Sequence, residues 1–412
     1  MVPARWDQLP DDIVRSIHAR LPCPVDGVYM ALVCTQGRNQ ARGPVCPAAA
    51  PALASPPLAQ GPSFACIMSG GGRHTLDLPE DARRARFFGS YEGRWLFLAL
   101  RRTEGHVLLN LRTRERIPLP DVEYGEIRLV GQGANRSLVR GPPRPVVMLA
   151  ATLSSAPAVD GGGCVAAAIL TMQRRHGTGK WRYVCFWRLG SRLAINQEEI
   201  NSTCGTSPQD IVYFDGRFLV LTKGEHLRAY TVLDEPDAIR GGDLRVECRL
   251  YVTGRDKKMQ DGESRAGYLV ESRGELLMVV KEWMDDGAVS CIQVFVLAAV
   301  PHDNPQLTCV WTRVERLDGR LLVISPGCSR AYECVDFSAG CVAEGVYFLD
   351  DRTYYNTTYF GAYFNLQTNS DEFTCTDNGS CSLLPASPDQ CFPRKPREGL
   401  SSSYSPPVWL LH

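Results

Sequence analysis

The pattern of apolar positions changes after the first 45 residues of the chain, from helical spacing to strand spacing. In the first part, Ile13, Ile17 and Leu21 recur at every fourth position, which places them on one face of a helix. A second, weaker helix follows, with Val33 on its apolar side. Residues 1–45 are therefore predicted to form a small all-α module.

A segment of this length buries little apolar surface by itself. The apolar face either docks on a partner protein or packs as a cap on the rest of the chain, and the pattern leaves both open. Prolines are frequent over residues 43–62, among Ala and Gly. This composition predicts a semi-extended linker over residues 46–62.

From residue 63 to residue 412 the pattern is mainly β, with short apolar runs bounded by Gly, Asp, Asn and Pro. A glycine-containing turn precedes five of these runs, with glycines at positions 93, 163, 216, 274 and 319. In three of the turns Gly follows Asp or Arg, and hairpin turns favour such a glycine because their central residues need positive φ. The recurrence is typical of β-propeller blades, each usually ~40–50 residues with variable loops. It predicts a propeller of about six or seven blades, with a β-sandwich as the alternative.

Charge and composition restrict the classes of function. Forty-five Lys and Arg balance 45 Asp and Glu, so no overall attraction to nucleic acid or to an anionic membrane is expected. The apolar runs are shorter than the ~20 residues of a membrane helix. The first residues lack the apolar stretch of a secretory signal, and the sixteen cysteines form no C-x-x-C pair. We therefore expect reduced thiols and a location in the nucleus and/or cytoplasm.

No catalytic, cofactor-binding or metal-binding motif is present. The sequence contains no H-E-x-x-H, G-x-S-x-G, phosphate-binding loop or dinucleotide-binding glycine pattern, and its seven histidines are isolated from one another. We expect no catalytic residues, no cofactor and no metal. An enzyme that uses the central channel of a propeller would instead need His, Asp and Glu to converge at one channel mouth.

Partner specificity of a propeller is expected in its loops. The candidate variable loops are 132–145, 171–181, 254–266 and 325–343. The last of these contains Cys328, Arg330, Tyr332 and Cys334. We interpret it as a long connection between blades, with a binding rim as the alternative.

The first forty residues resemble an F-box. The matching positions are Trp6, Leu9, Pro10, Asp11, Asp12, Ile13, Ile17, Arg20, Leu21, Pro22, Leu32, Val33, Cys34 and Arg38. One position departs from the pattern, because Gly37 stands where such modules usually carry a tryptophan. Loss of a large aromatic side chain removes several kcal/mol of buried contact if the site is a core.

The rest of the chain resembles the plant F-box family whose C-terminal region is a KIB-type, kelch-like β-propeller. The matching stretches are 74–79, 89–96, 108–113, 116–120, 210–217, 345–351 and 405–410. Their order and spacing together are more specific than any one of them.

The resemblance implies the substrate receptor of a Skp–cullin–F-box ubiquitin ligase, which is not itself catalytic. Its partners would be a Skp-type adaptor, a cullin and a target protein whose identity the loops do not reveal. The adaptor-binding residues carried over by the motif are Leu9, Pro10, Ile13, Ile17, Leu21 and Val33. A second hypothesis is an interaction scaffold that no longer joins the ligase, because Gly37 makes the F-box degenerate.

Overall fold

The computed structural model shows a chain whose described part consists almost entirely of β-strands, arranged in eight sheets. The residues that the structure describes are 12–13, 16, 52–58, 61–66, 73–100, 105–120, 122–124, 127–130, 137–140, 143–145, 147–157, 163–173, 180–191, 194–196, 207–233, 244–254, 264–283, 289–299, 309–337, 344–349, 351, 381–385, 405 and 408–411.

The first large sheet combines strands from both ends of the strand-forming region, and the second uses four consecutive strands. The first has the order β29-β1-β2-β3 and contains β1 (Ala52–Leu58), β2 (Gly61–Cys66), β3 (Arg73–Thr75) and β29 (Val408–Leu410). The second is a simple meander of β4 (Arg86–Tyr91), β5 (Trp95–Ala99), β6 (His106–Asn110) and β7 (Arg116–Leu119). A single-turn 3-10 helix, Glu80–Ala82, lies between them.

Two small antiparallel ribbons follow. They pair β8 (Val122–Tyr124) with β11 (Pro143–Pro145), and β9 (Ile127–Val130) with β10 (Ser137–Arg140). The third large sheet is the meander β12 (Val147–Leu153), β13 (Val165–Gln173), β14 (Lys180–Arg188) and β15 (Ile195–Asn196). The fourth is the meander β16 (Pro208–Phe214), β17 (Arg217–Thr222), β18 (Leu227–Leu233) and β19 (Arg245–Tyr251).

The last two large sheets depart from a simple meander. The fifth has the order β20-β24-β23-β22-β21, from β20 (Thr253–Gly254), β21 (Ser264–Ser272), β22 (Glu275–Trp283), β23 (Val289–Ala299) and β24 (Cys309–Arg313). The sixth has the order β26-β25-β27-β28, from β25 (Arg320–Ile324), β26 (Arg330–Glu333), β27 (Gly345–Leu349) and β28 (Cys381–Pro385). A second 3-10 turn, Cys334–Asp336, follows β26.

The large sheets form a closed ring, because each contacts the next along the chain and the sixth contacts the first. The inner strands are β29, β4, β12, β16, β21 and β26, each at one edge of its sheet. Neighbouring inner strands run parallel. In β16 and β21, for example, the side chain of Gln209 accepts a hydrogen bond from Gly267 N–H, and the side chain of Asp210 accepts one from Leu269 N–H. The residue numbers increase in the same direction along both strands. This arrangement is a β-propeller, and the β-sandwich alternative is wrong.

Apolar side chains fill the spaces between adjacent sheets. Between the third and fourth sheets, for example, the Phe186 ring lies 5.5 Å from the Phe218 ring and 5.0 Å from the Tyr230 ring, centroid to centroid. Both faces of most inner and second strands are buried, which explains why their sequences are continuous apolar runs instead of alternating ones.

The predicted turns are confirmed at the glycines that the sequence pattern indicates. Gly216, Gly274 and Gly319 have φ of 74°, 73° and 80°, and the residue before each also has positive φ. At Gly216 and Gly274 the two consecutive positive φ values form the hairpin turn whose twist matches that of the flanking strands. Gly319 instead joins β24 of the fifth sheet to β25 of the sixth and is not in a hairpin. These turns lead into β17, β22 and β25, so each marks the start of a second strand.

Of the six large sheets in the ring, five are regular four-stranded blades and the fifth along the chain has an additional strand. The prediction of six or seven blades was therefore wrong for regular blades, of which the described residues contain five. Two local features upset the count. The strands β8, β9, β10 and β11 form two ribbons instead of a blade. In addition, β19 leads almost directly into β20, which pairs in parallel with β24 as a fifth strand of the next sheet. A period read from turn spacing does not detect either feature.

The structure describes few of the residues on which the N-terminal predictions were made. Asp12, Ile13 and Ser16 have helical backbone, and the rest of the predicted module 1–45 lies outside the described residues. The range 46–62, predicted as a linker, contains β1 and the start of β2. Its prolines are compatible with a strand because 56 and 57 fall at an irregularity in the β1–β2 pairing, beyond the three residues of β1 that pair with β29.

Candidate functional site

The inner strands meet at the propeller axis, where one loop occupies the space between them. Residues 325–329, here called the axial loop, connect β25 to β26, and all five are buried. Ser329 Oγ donates to Ser325 O at 2.9 Å, which holds the loop closed. Gly327 has φ of 71°, and a Cβ there would lie 2.9 Å from both the N and the O of Ala151 in β12. Only glycine therefore fits this approach of two backbones.

The axial loop is anchored by a buried carboxylate of β16. Asp210 Oδ1 accepts the N–H of Gly327 at 2.6 Å and that of Ile211 at 2.8 Å, while Oδ2 accepts the N–H of Leu269 at 2.6 Å. Burial raises the pKa of Asp210 to about 7, with a further contribution from the charge of Asp351, although the three N–H donors oppose the shift. One side chain thus connects the axial loop with the fourth and fifth sheets.

A second buried charge joins the fifth and sixth sheets. Lys281 Nζ lies 2.5 Å from Asp351 Oδ1 and donates to Leu349 O at 3.0 Å. It also lies 5.0–5.3 Å from the ring centroids of three aromatic residues, Tyr268, Trp283 and Phe348. Tyr268 Oη donates to Asp351 Oδ2 at 2.8 Å. This ammonium is neutralised and enclosed within the fold, so its role is to hold two sheets together.

The surface end of the axis carries tyrosines around one arginine. We call this site the axial mouth and define it by Tyr91 at the end of β4, the adjacent Glu92, and Arg330 and Tyr332 of β26. Arg330 Cζ lies 5.7 Å from the Tyr91 ring centroid, and Arg330 Nε lies 3.1 Å from Glu92 Oε1. Burial raises the pKa of Tyr91 and of Tyr332, which the positive charge of Arg330 opposes.

The axial mouth was only partly indicated by the sequence. The predicted loop 325–343 contains Arg330 and Tyr332, but it was interpreted as a connection between blades. That interpretation is wrong for residues 325–333, which provide the axial loop and an inner strand. Asp210 and Lys281 were not singled out as site residues, because a lone carboxylate or ammonium in an apolar run gives no sign of the partner it meets in space.

The predicted adaptor-binding residues are not brought together by the described part of the chain. Ile13 has helical backbone and an exposed side chain, at 43% of its maximum. Leu9, Pro10, Ile17, Leu21 and Val33 lie outside the described residues. The other candidate loops, 132–145, 171–181 and 254–266, are described only where they form strands.

Titratable groups elsewhere in the described residues do not form a metal-binding set of three or more His, Cys, Asp or Glu. His106 is buried, accepts the N–H of Met148 at its Nε2 at 3.5 Å, and has its pKa lowered to about 3 by burial. Cys164, Cys309, Cys328 and Cys334 are free thiols. In the described part of the chain no helix is long and apolar enough to cross a membrane.

These features define a β-propeller whose axis is filled by its own chain and whose exposed surfaces are left for recognition. The KIB1-4 beta-propeller family matches residues 64–365, most of the chain, and the chain belongs to this family. The first sheet extends the ring beyond the matched range at both ends, through β1 and β29. No curated protein matches the chain.

Proposed function

We propose that this chain is the substrate-recognition subunit of a Skp–cullin–F-box ubiquitin ligase in the nucleus and/or cytoplasm. Residues 1–45 dock a Skp-type adaptor, and the propeller binds the protein to be ubiquitinated. The observation that carries the proposal is the order of the two parts, since a KIB1-4 propeller follows an F-box-like pattern in one chain. The subunit supplies recognition, and catalysis belongs to other members of the complex.

The physical properties of both parts support this division of labour. The apolar positions 13, 17 and 21 give residues 1–45 a face too large for a module of that size to bury alone. In the propeller, the buried axial loop leaves the loops and the axial mouth as surfaces for a partner. Tyrosine and arginine are the residue types that contribute most to protein–protein binding energy.

Co-purification with a Skp-type adaptor tests the proposal. The variant carrying Leu9→Ala and Pro10→Ala is expected to lose adaptor binding by at least about tenfold, because the F-box-like pattern assigns both residues to adaptor binding. Leu250→Ala is the matched control, since Leu250 is an exposed leucine of β19 in the propeller. Equal adaptor binding by all three chains would rule out the docking model.

The second candidate function is a propeller scaffold outside the ligase, and Gly37 is the observation that favours it. The two functions differ in the behaviour of Gly37→Trp. If the wild-type chain does not bind the adaptor at micromolar concentration and Gly37→Trp binds, the natural F-box is degenerate and the scaffold is the better description. Binding by the wild-type chain favours the receptor.

A further inference from the structure

The hydrogen-bonding capacity of the Arg330 side chain is not used up by the described residues of its own chain. Its side chain is about four-fifths buried, with 21% exposed, and it stacks against Tyr91 at the axial mouth. Its only charged partner among the described residues is Glu92, which is 57% exposed and faces the Nε atom. Although Arg330 Nε lies 3.1 Å from Glu92 Oε1, this buried atom forms no hydrogen bond of correct geometry, and among the described residues no hydrogen bond of the two terminal nitrogens is found either.

Arg273, whose partner Glu333 belongs to the same strand as Arg330, differs in this respect. Arg273, in the turn after β21, donates to Glu333 Oε1 at 2.8 Å, to Glu333 Oε2 at 2.6 Å and to Asp318 O at 2.8 Å. Its hydrogen-bonding capacity is largely used within the fold. Arg330 is therefore the arginine of the pair whose planar donor edge is available to a ligand.

The chemistry of this donor edge restricts the ligand. The two terminal nitrogens of a guanidinium match the two oxygens of a carboxylate, and they match a phosphate equally well in shape. A phosphate dianion would meet the negative charge of Glu92 with only one arginine to compensate, whereas phosphate sites usually combine several cations. A singly charged carboxylate leaves a net charge of about −1 beside Arg330 and Glu92 instead of about −2, so it fits this site better than a phosphate dianion.

We propose that the axial mouth is the binding site for an acidic segment of the target protein, with an Asp or Glu carboxylate of that segment accepting hydrogen bonds from the terminal nitrogens of Arg330. Tyr91 and Tyr332 flank the anion and exclude water from the ion pair, which strengthens it. The proposal rests on the receptor function, since it names the chemistry of the target, but its test requires no adaptor.

The test is fluorescence anisotropy with the full chain and three labelled probes: a Gly-Glu repeat peptide, the matching Gly-Gln peptide and a Gly-phosphoserine peptide. We expect the Gly-Glu peptide to bind best. Arg330→Gln should weaken its binding about tenfold, which corresponds to about 1.4 kcal/mol. Arg330→Lys, which keeps the charge but loses the planar fork, should also weaken it. Arg273→Gln removes the same charge nearby and should change binding by less than about twofold.

Glu92→Gln is a second variant that distinguishes a specific effect on binding from a loss of folding, because a misfolded chain would not bind more tightly. This substitution removes the carboxylate that competes for Arg330, so it should tighten binding of the Gly-Glu peptide about threefold. The proposal would be overturned if Glu92→Gln bound the Gly-Glu peptide more weakly than the wild type, or if Arg330→Gln and Arg273→Gln lost binding equally. It would also be overturned if the Gly-Glu and Gly-Gln peptides bound equally well, or if the Gly-Glu peptide did not bind. Binding of the phosphoserine peptide alone would overturn it in favour of a phosphate site.

The same preparations distinguish this proposal from the receptor function. Adaptor co-purification should be unchanged in Arg330→Gln, because residues 1–45 provide that contact. Loss of peptide specificity with adaptor binding intact would remove only the role of Arg330. Loss of adaptor binding in the wild-type chain, with peptide specificity intact, would remove only the ligase assignment.

Discussion

Asp210 accepts the backbone N–H of Gly327 at 2.6 Å, although the two residues are 117 positions apart in the chain. The same carboxylate accepts an N–H from Leu269 in the neighbouring inner strand. The contact depends on correct placement of the fourth, fifth and sixth sheets, so it reports on the assembled ring.

Asp210→Asn is expected to destabilise the propeller by about 1–3 kcal/mol, because the amide NH2 would face an N–H donor that the carboxylate accepts. The measurement is the free energy of unfolding in urea. Asp210→Ala, which removes the acceptor for all three donors, should be at least as destabilising. An Asn variant as stable as the wild type would show that the carboxylate does not hold the axial loop.

The stability of the wild type should also depend on pH through Asp210. Its pKa in the folded chain is about 7, above the ordinary value near 4, so the folded state binds a proton more tightly than the unfolded state. The stability that Asp210 gains from binding this proton is fully present below about pH 4 and is lost as the pH rises to about 7. The difference in unfolding free energy between wild type and Asp210→Asn should therefore be larger at pH 5 than at pH 8. A difference that is constant or grows with pH would contradict this assignment.

Gly327→Ala should be far more disruptive than the same substitution at a turn glycine. A Cβ at Gly327 meets the backbone of Ala151, which cannot move aside without displacing β12. Gly274→Ala is the matched control, because its φ of 73° is nearly the same as the 71° of Gly327 and nothing lies within 4 Å of the added atom. The control should lose about 1–2 kcal/mol from backbone strain, and Gly327→Ala clearly more. Similar losses in urea unfolding would mean that the axial loop is not tightly packed.

Lys281→Met should destabilise the propeller by about 3–5 kcal/mol, since it leaves the buried carboxylate of Asp351 without its counter-ion. Adding Asp351→Asn should recover part of this loss, because the remaining group is then neutral. Arg273→Ala breaks an exposed ion pair with Glu333 and should have little effect. Thermal unfolding of the four chains provides the comparison, and a double variant less stable than Lys281→Met would contradict the electrostatic explanation.

Trp409→Phe should weaken closure of the ring by about 1–3 kcal/mol. Trp409 is fully buried, and its indole N–H donates to Ile324 O at 3.0 Å, which joins β29 to the sixth sheet. The phenylalanine fills most of the volume but leaves this carbonyl without its donor. Trp409→Ala should cost about 3–5 kcal/mol through the added cavity. Urea unfolding that is unchanged in both variants would show that β29 is not needed for closure.

The sequence predicted those parts of the fold that depend on local geometry. Positive φ in the turns at Gly216, Gly274 and Gly319 follows from a short-range rule, and the buried second strands follow from continuous apolar runs. The propeller class was predicted from the recurrence of these turns, and the family from the resemblance of stretches such as 210–217 and 345–351.

Long-range pairing was not predictable from these patterns. Residues 52–58 have the composition of a linker, yet they form a strand that pairs with β2 and also with β29, which lies more than 300 positions later. The axial loop likewise has the turn-like sequence Ser325-Pro326-Gly327, and only its contact with Ala151 reveals its position at the axis. Composition reports what a segment prefers alone, and a sheet partner can override it.

Pairing of β29 with β1 has a consequence for synthesis of the chain. Ring closure has to wait for residues 408–410, whereas residues 1–45 are synthesised more than 350 positions earlier. Under the proposed function, a chain interrupted before β29 retains the adaptor-binding module but lacks a closed recognition surface. Such a fragment would occupy the adaptor without presenting a target, and would compete with the intact receptor.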